Sequence, residues 1–205
     1  MISFANAQGN TTINSEVQKQ LDDKLVTIYV NHFTEDSARK FYESFQKAMK
    51  SGQTILPIII DSYGGSVDAL VVMMELIESS PIPVATICIG KAMSCGAMLL
   101  SCGTEGMRYI APTSRVMIHH VSSGMWGTVP DLKNSTEEVE RLQKTVFEKV
   151  SLNCGQKKNY FLKILKERGN LDWYLTPEEC VTHNLVNHIK VPELKTTIKV
   201  ENVLV

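Results

Sequence analysis

The sequence predicts an α/β fold, because short apolar strand-like runs alternate with helix-forming runs through the first half of its 205 residues. Two of these runs, at residues 55–60 and 83–89, are almost entirely apolar. Such runs are typical of strands in a parallel sheet that is covered on both faces. No internal repeat or long linker interrupts the pattern, so we expect one domain with right-handed crossovers between its parallel strands.

The first elements follow from local signals. Residues 15–24 predict a short helix, and residues 25–30, which are rich in β-branched and aromatic side chains, predict a strand. Thr34 is a favourable N-cap for the next helix, which we expect to end near Gly52. The apolar strand at 55–60 follows.

The later elements continue the alternation. Residues 67–78 predict an apolar helix, and the strand at 83–89 leads into a short helix that starts at Ser94. The remaining predictions are strands near 107–110 and 115–119, and helices at 131–150, at 156–167 and after Thr176.

The two ends of the chain differ from its middle. Residues 1–13 are polar and predict a flexible N-terminal segment. Residues 14–190 predict the folded domain. The tail at 191–205 alternates apolar and polar residues, as an edge strand does.

Composition and charge exclude several function classes. The net charge is -1, with 43% hydrophobic and 21% charged residues, which predicts neither nucleic-acid binding nor attachment to an anionic membrane. No apolar run approaches the ~18 residues of a membrane span, and the first ten residues lack a signal-peptide pattern. The five cysteines are odd in number and show no CxxC spacing, so we expect a cytoplasmic protein without disulfides or a zinc site.

The most informative segment runs from Gly90 to Leu100 and places Ser94 where a buried strand turns into a helix. Backbone N–H groups at a helix start are unpaired and carry partial positive charge. A serine there can attack a carbonyl carbon while nearby N–H groups receive the oxyanion. Two alternatives stay open: Ser94 as an ordinary N-cap, and the neighbouring Cys95 as the nucleophile.

A second segment, Asp61 to Val67, also lies between a buried strand and a helix and contains Gly64 and Gly65. Two glycines permit a tight turn or a close backbone approach. The segment is therefore either a plain βα turn or part of an oxyanion hole. A phosphate-cradling loop is disfavoured because neither GxGxxG nor GxxxxGK[ST] is present.

Two further residue types suit hydrolytic chemistry. His119 and His120 end a predicted strand, where a histidine can act as a general base near neutral pH. Adjacent side chains on a strand point to opposite faces, so only one of the two should face a site. Asp172 lies among bulky apolar residues and is either a capping residue or the carboxylate that orients a histidine.

Together these segments resemble the proteolytic subunit of the Clp protease (ClpP). The segment at 61–67 resembles the family's Ser-Pro-Gly-Gly segment, and 90–100 resembles its nucleophile segment. Residues 115–119 match its catalytic histidine segment, and 172–186 resemble the segment with its catalytic aspartate. The resemblance spans about residues 15–190.

The resemblance implies a serine endopeptidase with a Ser-His-Asp triad. Ser94 would be the nucleophile, His119 the general acid/base and Asp172 its orienting carboxylate. The N–H groups of Gly65 and Cys95 would form the oxyanion hole. An extended peptide substrate would pair with Ser66 and Val67 by strand addition. Ser122, Ser123 and Gly124 would border the substrate from the other side.

For the fold and assembly, the resemblance implies the ClpP/crotonase superfamily, a spiral of ββα units with a helical handle around the helix from Asp131. It implies self-association into heptameric rings, stacked in pairs, that enclose the serine sites. Unfolded polypeptide substrates would enter with the help of a Clp-type ATPase. The chemistry would need no metal and no cofactor.

Several departures from the family pattern indicate a divergent member, such as a phage-encoded one. Tyr63 replaces a proline before the glycines. Asn170 and Leu171 replace an Asp-Arg pair associated with contacts between rings, which counts against a stacked double ring. Pro57 and Ile59 stand where the family has aromatic residues that dock the ATPase, which counts against that partner.

Three other functions fit parts of the pattern. The chain could be a non-catalytic assembly subunit, although all three triad residues are present. A crotonase-type acyl-CoA enzyme would use the same fold without needing the triad. A serine/lysine dyad would use Lys91, which is close to Ser94 in sequence but lies within the turn itself.

Overall fold

A computed structural model describes residues 25–194, and this part of the chain forms one mixed seven-stranded sheet. The strands are β1 (Ile28–Val30), β2 (Leu56–Ser62), β3 (Val84–Met93), β4 (Arg108–Ile110), β5 (Arg115–Ile118), β6 (Trp173–Leu175) and β7 (His188–Ile189). The order β1-β2-β3-β4-β7 is parallel throughout. Strand β5 pairs in parallel with the second half of β3, and β6 pairs antiparallel with β5.

Six helices are described within residues 25–194. They are α1 (Glu35–Ser51), α2 (Val67–Glu78), α3 (Cys95–Leu100), α4 (Val129–Asn153), α5 (Tyr160–Glu167) and α6 (Pro177–Thr182). None of these helices combines the length and the hydropathy of a transmembrane segment.

Capping explains where α1 begins and ends. Thr34 and Ser37 form a reciprocal capping box, in which each side chain accepts from the other residue's backbone N–H. Gly52 ends the helix in the left-handed conformation, with φ 81°. Both boundaries agree with the sequence prediction.

The alternation of strands and helices confirms the predicted α/β class, and α2 has the predicted bounds. Strand β3 is four residues longer at its end than expected, because residues 91–93 pair with β5. Strand β6 was not predicted. The proposed helix at 15–24, the segment at 1–13 and residues 195–205 lie outside the described residues, while residues 191–194 form no strand.

The core lies between the sheet and the helices that cover it. Ile58 and Ile60 of β2 are fully buried, and Leu99 and Leu100 make the short helix α3 part of the same core. Burying side chains of this size contributes about 1.5–3 kcal/mol each. The end of β3 and the start of α3 are therefore held on a rigid base.

Arg108 is a fully buried cation that ties the end of the sheet to the helices. Its guanidinium donates to the carbonyl oxygen of Asn153 at 2.5 Å and to Glu105 Oε2 at 2.6 Å. It also donates to Asn187 Oδ1 at 3.2 Å and to the carbonyl of Ser101 at 3.4 Å. One side chain thus satisfies acceptors from the ends of α3 and α4 and from the turn before β7.

We predict that Arg108→Ala destabilises the fold by roughly 3 kcal/mol or more, because one buried and several partly buried acceptors lose their donor together. The free energy of unfolding, measured in urea, checks this. Arg39→Ala is the matched control, since its ion pairs with Asp36 and Glu43 are exposed and such pairs contribute about 0–1 kcal/mol. Equal losses in the two variants would contradict the assigned role of Arg108.

Candidate active site

Ser94 occupies a strained turn between β3 and α3. Its backbone has φ 55° and ψ -121°, which non-glycine residues rarely adopt and which costs of order 1–3 kcal/mol. Its N–H donates to the Met117 carbonyl at 2.8 Å, and its own carbonyl accepts from Ala97 N at 2.9 Å. The hydroxyl makes no capping bond, so the side chain is not acting as an N-cap.

Strand register brings His119 and Asp172 to the same place. Met93 of β3 is aligned with Met117 of β5, so Ser94 lies level with the end of β5. Ile118 and Trp173 are paired in the antiparallel β5–β6 ladder. The next positions along that ladder are His119 and Asp172, which therefore face each other just beyond the last pair.

The three side chains form a line. Ser94 Oγ lies 2.8 Å from His119 Nε2, a hydrogen-bond distance. His119 Nδ1 lies 3.8 Å from Asp172 Oδ1, within ion-pair range but longer than a hydrogen bond. With the imidazole proton on Nδ1, Nε2 can accept the Ser94 proton, and Nδ1–H faces the carboxylate. The Asp172 side chain is 53% exposed, whereas the His119 side chain is 26% exposed.

Two backbone amides lie beside the serine. Cys95 is the first residue of α3, where an N–H has no partner within the helix. Gly65 forms a parallel bridge with Phe33 in which Ser66, not Gly65, donates to the Phe33 carbonyl at 2.8 Å. The Cys95 thiol contacts the Gly65 carbonyl at 3.3 Å, which places Gly65 next to the Ser94 turn, and the Phe33 bond does not use the Gly65 N–H.

Both glycines are required by close approach and by conformation. A Cβ at Gly64 would lie 2.7 Å from Ser94 Cβ, and a Cβ at Gly65 would lie 2.3 Å from the Phe33 carbonyl oxygen. Their φ angles are 107° and 148°, which favour glycine. The turn is therefore built around the serine, which favours the oxyanion interpretation over a plain βα turn.

Cys95 is not placed to be a nucleophile. Its thiol is buried and donates to the Gly65 carbonyl, with Sγ 3.3 Å from the oxygen. Burial raises the pKa of the Cys95 thiol, which keeps it protonated. His119 is hydrogen-bonded to Ser94 instead.

A small pocket of about 50 Å³ opens beside Ser94 and His119. Most of its walls are apolar, and α4, the α2 start and α3 all contribute to them. The apolar lining residues are Val67, Leu70, Met98, Val121, Val146 and Phe147. Val67 is among the residues predicted from the sequence. The others depend on how the helices and the segment after β5 pack.

The expected substrate-binding residues divide into two groups. Val67 and Ser122 line the pocket, whereas Ser123 and Gly124 are exposed in the following loop and are not part of its lining. Ser66, which is also expected to pair with substrate, makes three hydrogen bonds within the fold. Its N–H donates to Phe33, its carbonyl accepts from Leu70 N, and its hydroxyl caps α2. The Ser66 N–H is thus occupied, while its carbonyl oxygen keeps a second lone pair.

The serine/lysine dyad finds no support in the described part of the chain. Lys91 Nζ binds Asp61 Oδ1 at 2.6 Å rather than Ser94. That ion pair lowers the pKa of Asp61 and raises the pKa of Lys91. Within residues 25–194, no group of three histidine, cysteine or acidic side chains could hold a metal ion.

We predict that Gly65→Ala slows the labelling of Ser94 by a fluorophosphonate ester, whose phosphoryl oxygen seeks the same amides, by about 100-fold. The new Cβ must move the loop away from the Phe33 carbonyl and carry the Gly65 N–H with it. Intact-protein mass spectrometry measures the labelling rate.

Gly52→Ala is the matched control. It also places alanine at a positive φ, 81°, but no atom lies within 4 Å of the new Cβ. It should cost about 1 kcal/mol of stability and leave the labelling rate unchanged. Unchanged labelling in Gly65→Ala would contradict the proposed place of its amide.

Comparison with known proteins agrees with the predicted family and fold. The family model for Clp protease matches residues 8–193. The ATP-dependent Clp protease proteolytic subunit of Deinococcus radiodurans is 31% identical over 134 residues, which are 65% of this chain and 64% of the relative. The ATP-dependent Clp protease proteolytic subunit 2 of Thermobifida fusca gives the same identity over the same shares.

The alignments with these two relatives therefore cover slightly less than two thirds of their length. The family match covers most of the chain and agrees with the parallel α/β sheet and its helices. The predicted resemblance and the predicted ClpP/crotonase-type fold are confirmed. The chain belongs to the Clp protease family.

Proposed function

We propose that the chain is a serine endopeptidase that cleaves peptides and unfolded polypeptides with Ser94, His119 and Asp172. The observation that carries the proposal is the 2.8 Å contact between Ser94 Oγ and His119 Nε2 beside the amides of Gly65 and Cys95. A nucleophile, its base and a place for the oxyanion are the three parts that acyl transfer needs.

The first half of the reaction forms an acyl-enzyme. His119 Nε2 takes the proton from Ser94 Oγ as the oxygen attacks the scissile carbonyl carbon. The carbonyl oxygen becomes an oxyanion and accepts hydrogen bonds from the N–H groups of Gly65 and Cys95. The protonated His119 then gives its Nε2 proton to the leaving amine, and the C–N bond breaks.

The second half returns the enzyme to its starting state. Water gives a proton to His119 Nε2 and attacks the acyl carbon, and the same amides receive the second oxyanion. Breaking the ester bond returns the proton to Ser94 Oγ and releases the new carboxyl end. Each proton taken up by His119 is given back, so the cycle needs no metal or cofactor.

Asp172 would accept a hydrogen bond from the Nδ1–H of His119 and stabilise the imidazolium. The 3.8 Å separation must shorten by roughly 1 Å to become a hydrogen bond of about 2.7–2.9 Å. Catalytic hydrogen bonds are often long before substrate binds. Because the Asp172 side chain is half exposed, room exists for this movement.

The pocket supports a preference for one apolar side chain at the residue before the scissile bond. Val67, Leu70 and Met98 line it directly beside Ser94, and its described walls contain no aspartate, glutamate, lysine or arginine. A buried lysine or aspartate side chain would lose its hydration there without finding a partner.

We predict that the wild-type protein cleaves a peptide with leucine or methionine before the scissile bond faster than one with aspartate or lysine.

Ser94→Ala should lower kcat by at least about 10⁴-fold, and His119→Ala by a similar factor, because the two groups act as a unit. Fluorogenic peptide hydrolysis measures both effects.

The control is Ser44→Ala on α1, which does not contribute to the site and should keep wild-type kcat. Circular dichroism shows that each variant is folded. Full activity in Ser94→Ala would refute the proposal, as would a purified wild-type protein that cleaves none of the peptides.

We also propose that the chain self-associates into a ring that encloses the site, as the family resemblance implies. Large apolar side chains are exposed at and just before the start of α4, the segment that the resemblance makes the handle. They are Trp126, Val129 and Leu132. A cluster of this kind is typical of a surface that is covered by another copy.

We predict that the purified protein has a solution mass several times its 22.9 kDa chain mass. Trp126→Glu and Val129→Glu should lower that mass, because a charge would be buried without a partner. Light scattering during size-exclusion chromatography measures the mass. A wild-type protein that stays monomeric at micromolar concentration would contradict self-association.

A further inference from the structure

His120 links three separate parts of the structure near the candidate site. It follows His119 at the end of β5, and its side chain points away from Ser94. Its Nδ1 lies 3.1 Å from Gln143 Oε1 on α4, and its Nε2 lies 3.0 Å from Asn170 Oδ1. Residue patterns indicate no separate role for this second histidine.

The direction of these bonds follows from the backbone. Gln143 Oε1 also accepts the N–H of Val121 at 2.9 Å, which fixes this oxygen as the acceptor. His120 therefore donates from Nδ1. In a neutral ring Nε2 then accepts a hydrogen bond. The Asn170 amide donates it from its NH₂ group after a flip that exchanges the positions of Oδ1 and Nδ2.

Asn170 lies on the segment that carries Asp172. It has φ 61°, a left-handed conformation, and its N–H donates to the Leu165 carbonyl at 2.9 Å at the end of α5. The His120 bond is a second attachment of the same residue. Asn170 is therefore held by its backbone on one side and by its side chain on the other.

Asp172 needs support of this kind. Within residues 25–194, the sole hydrogen-bond or ion-pair partner of its carboxylate is His119 at 3.8 Å, and its side chain is half exposed. Its position thus depends on the backbone on either side. Trp173 is held in the β5–β6 ladder, while the preceding side depends on Asn170.

We propose that His120 is a positioning residue that holds Asp172 toward His119 through Asn170. The inference rests on the proposed peptidase function. His120 touches neither substrate nor the reacting atoms. It joins the end of β5, helix α4 and the Asp172 segment, so that the carboxylate and the imidazole keep a fixed separation.

The test compares kcat and KM for peptide hydrolysis in His120→Ala, Asn170→Gly and the double variant. Asn170→Gly keeps the left-handed backbone and removes only the side chain. We expect each single change to lower kcat about three- to tenfold, the range of one hydrogen bond, with KM changed less than about twofold. The double variant should lose no more kcat than the more impaired of the two single variants.

A second comparison separates positioning from general structural support. His120→Ala is combined with Asp172→Ala, which removes the group that His120 is proposed to hold. We expect His120→Ala to cause no further loss of kcat in this background. The same fold loss with and without Asp172 would overturn the proposal, as would wild-type kcat in His120→Ala.

Asn184→Gly is the matched control. Asn184 is also a left-handed asparagine, with φ 54°, but its side chain binds the Cys154 carbonyl on another part of the chain. It should keep wild-type kcat.

A protein without peptidase activity would refute the proposed function alone. Amide hydrogen exchange then tests the His120 contact directly. Faster exchange of residues 168–173 in His120→Ala supports it, and unchanged exchange overturns it.

Discussion

Strand β5 is the element on which the site depends, because it pairs with β3 along one edge and with β6 along the other. The parallel pairing brings Ser94 level with the end of β5, and the antiparallel pairing sets Asp172 opposite His119. The Ser94 N–H bond to the Met117 carbonyl at 2.8 Å closes this arrangement. A one-residue shift of the β3–β5 ladder would turn His119 to the other face of the sheet, and a one-residue shift of the β5–β6 ladder would do the same to Asp172.

The serine turn is strained, and the surrounding structure maintains it. The φ of 55° at Ser94 persists because α3 is buried on the core and because Gly64 lacks the Cβ that would meet Ser94 Cβ at 2.7 Å. The Phe33 bridge fixes the neighbouring Gly65 in turn. The strained Ser94 backbone and the two glycines therefore act together to expose the Ser94 hydroxyl beside the amides of Gly65 and Cys95.

Much of this could be predicted from local sequence. The strand-to-helix turn at Ser94, the glycine pair and the strand-end His119 each follow from short-range signals, and helix α2 was predicted to the residue. Strand β6 was missed because three residues after Asp172 give little periodicity. The β5–β6 register and the pocket walls from α4 depend on long-range packing, which residue patterns do not encode. The bond from the Ser66 N–H to the Phe33 carbonyl also arises from long-range packing.

We propose centrally that Ser94 attacks a carbonyl carbon while the carbonyl oxygen accepts hydrogen bonds from the N–H groups of Gly65 and Cys95. The most direct measurement is a crystal structure after reaction with a peptide chloromethyl ketone. The account predicts a bond from Ser94 Oγ to the former carbonyl carbon, a second bond to His119 Nε2, and the oxygen within hydrogen-bond distance of both amides. An adduct on Cys95 Sγ, or an oxygen that faces solvent, would contradict it.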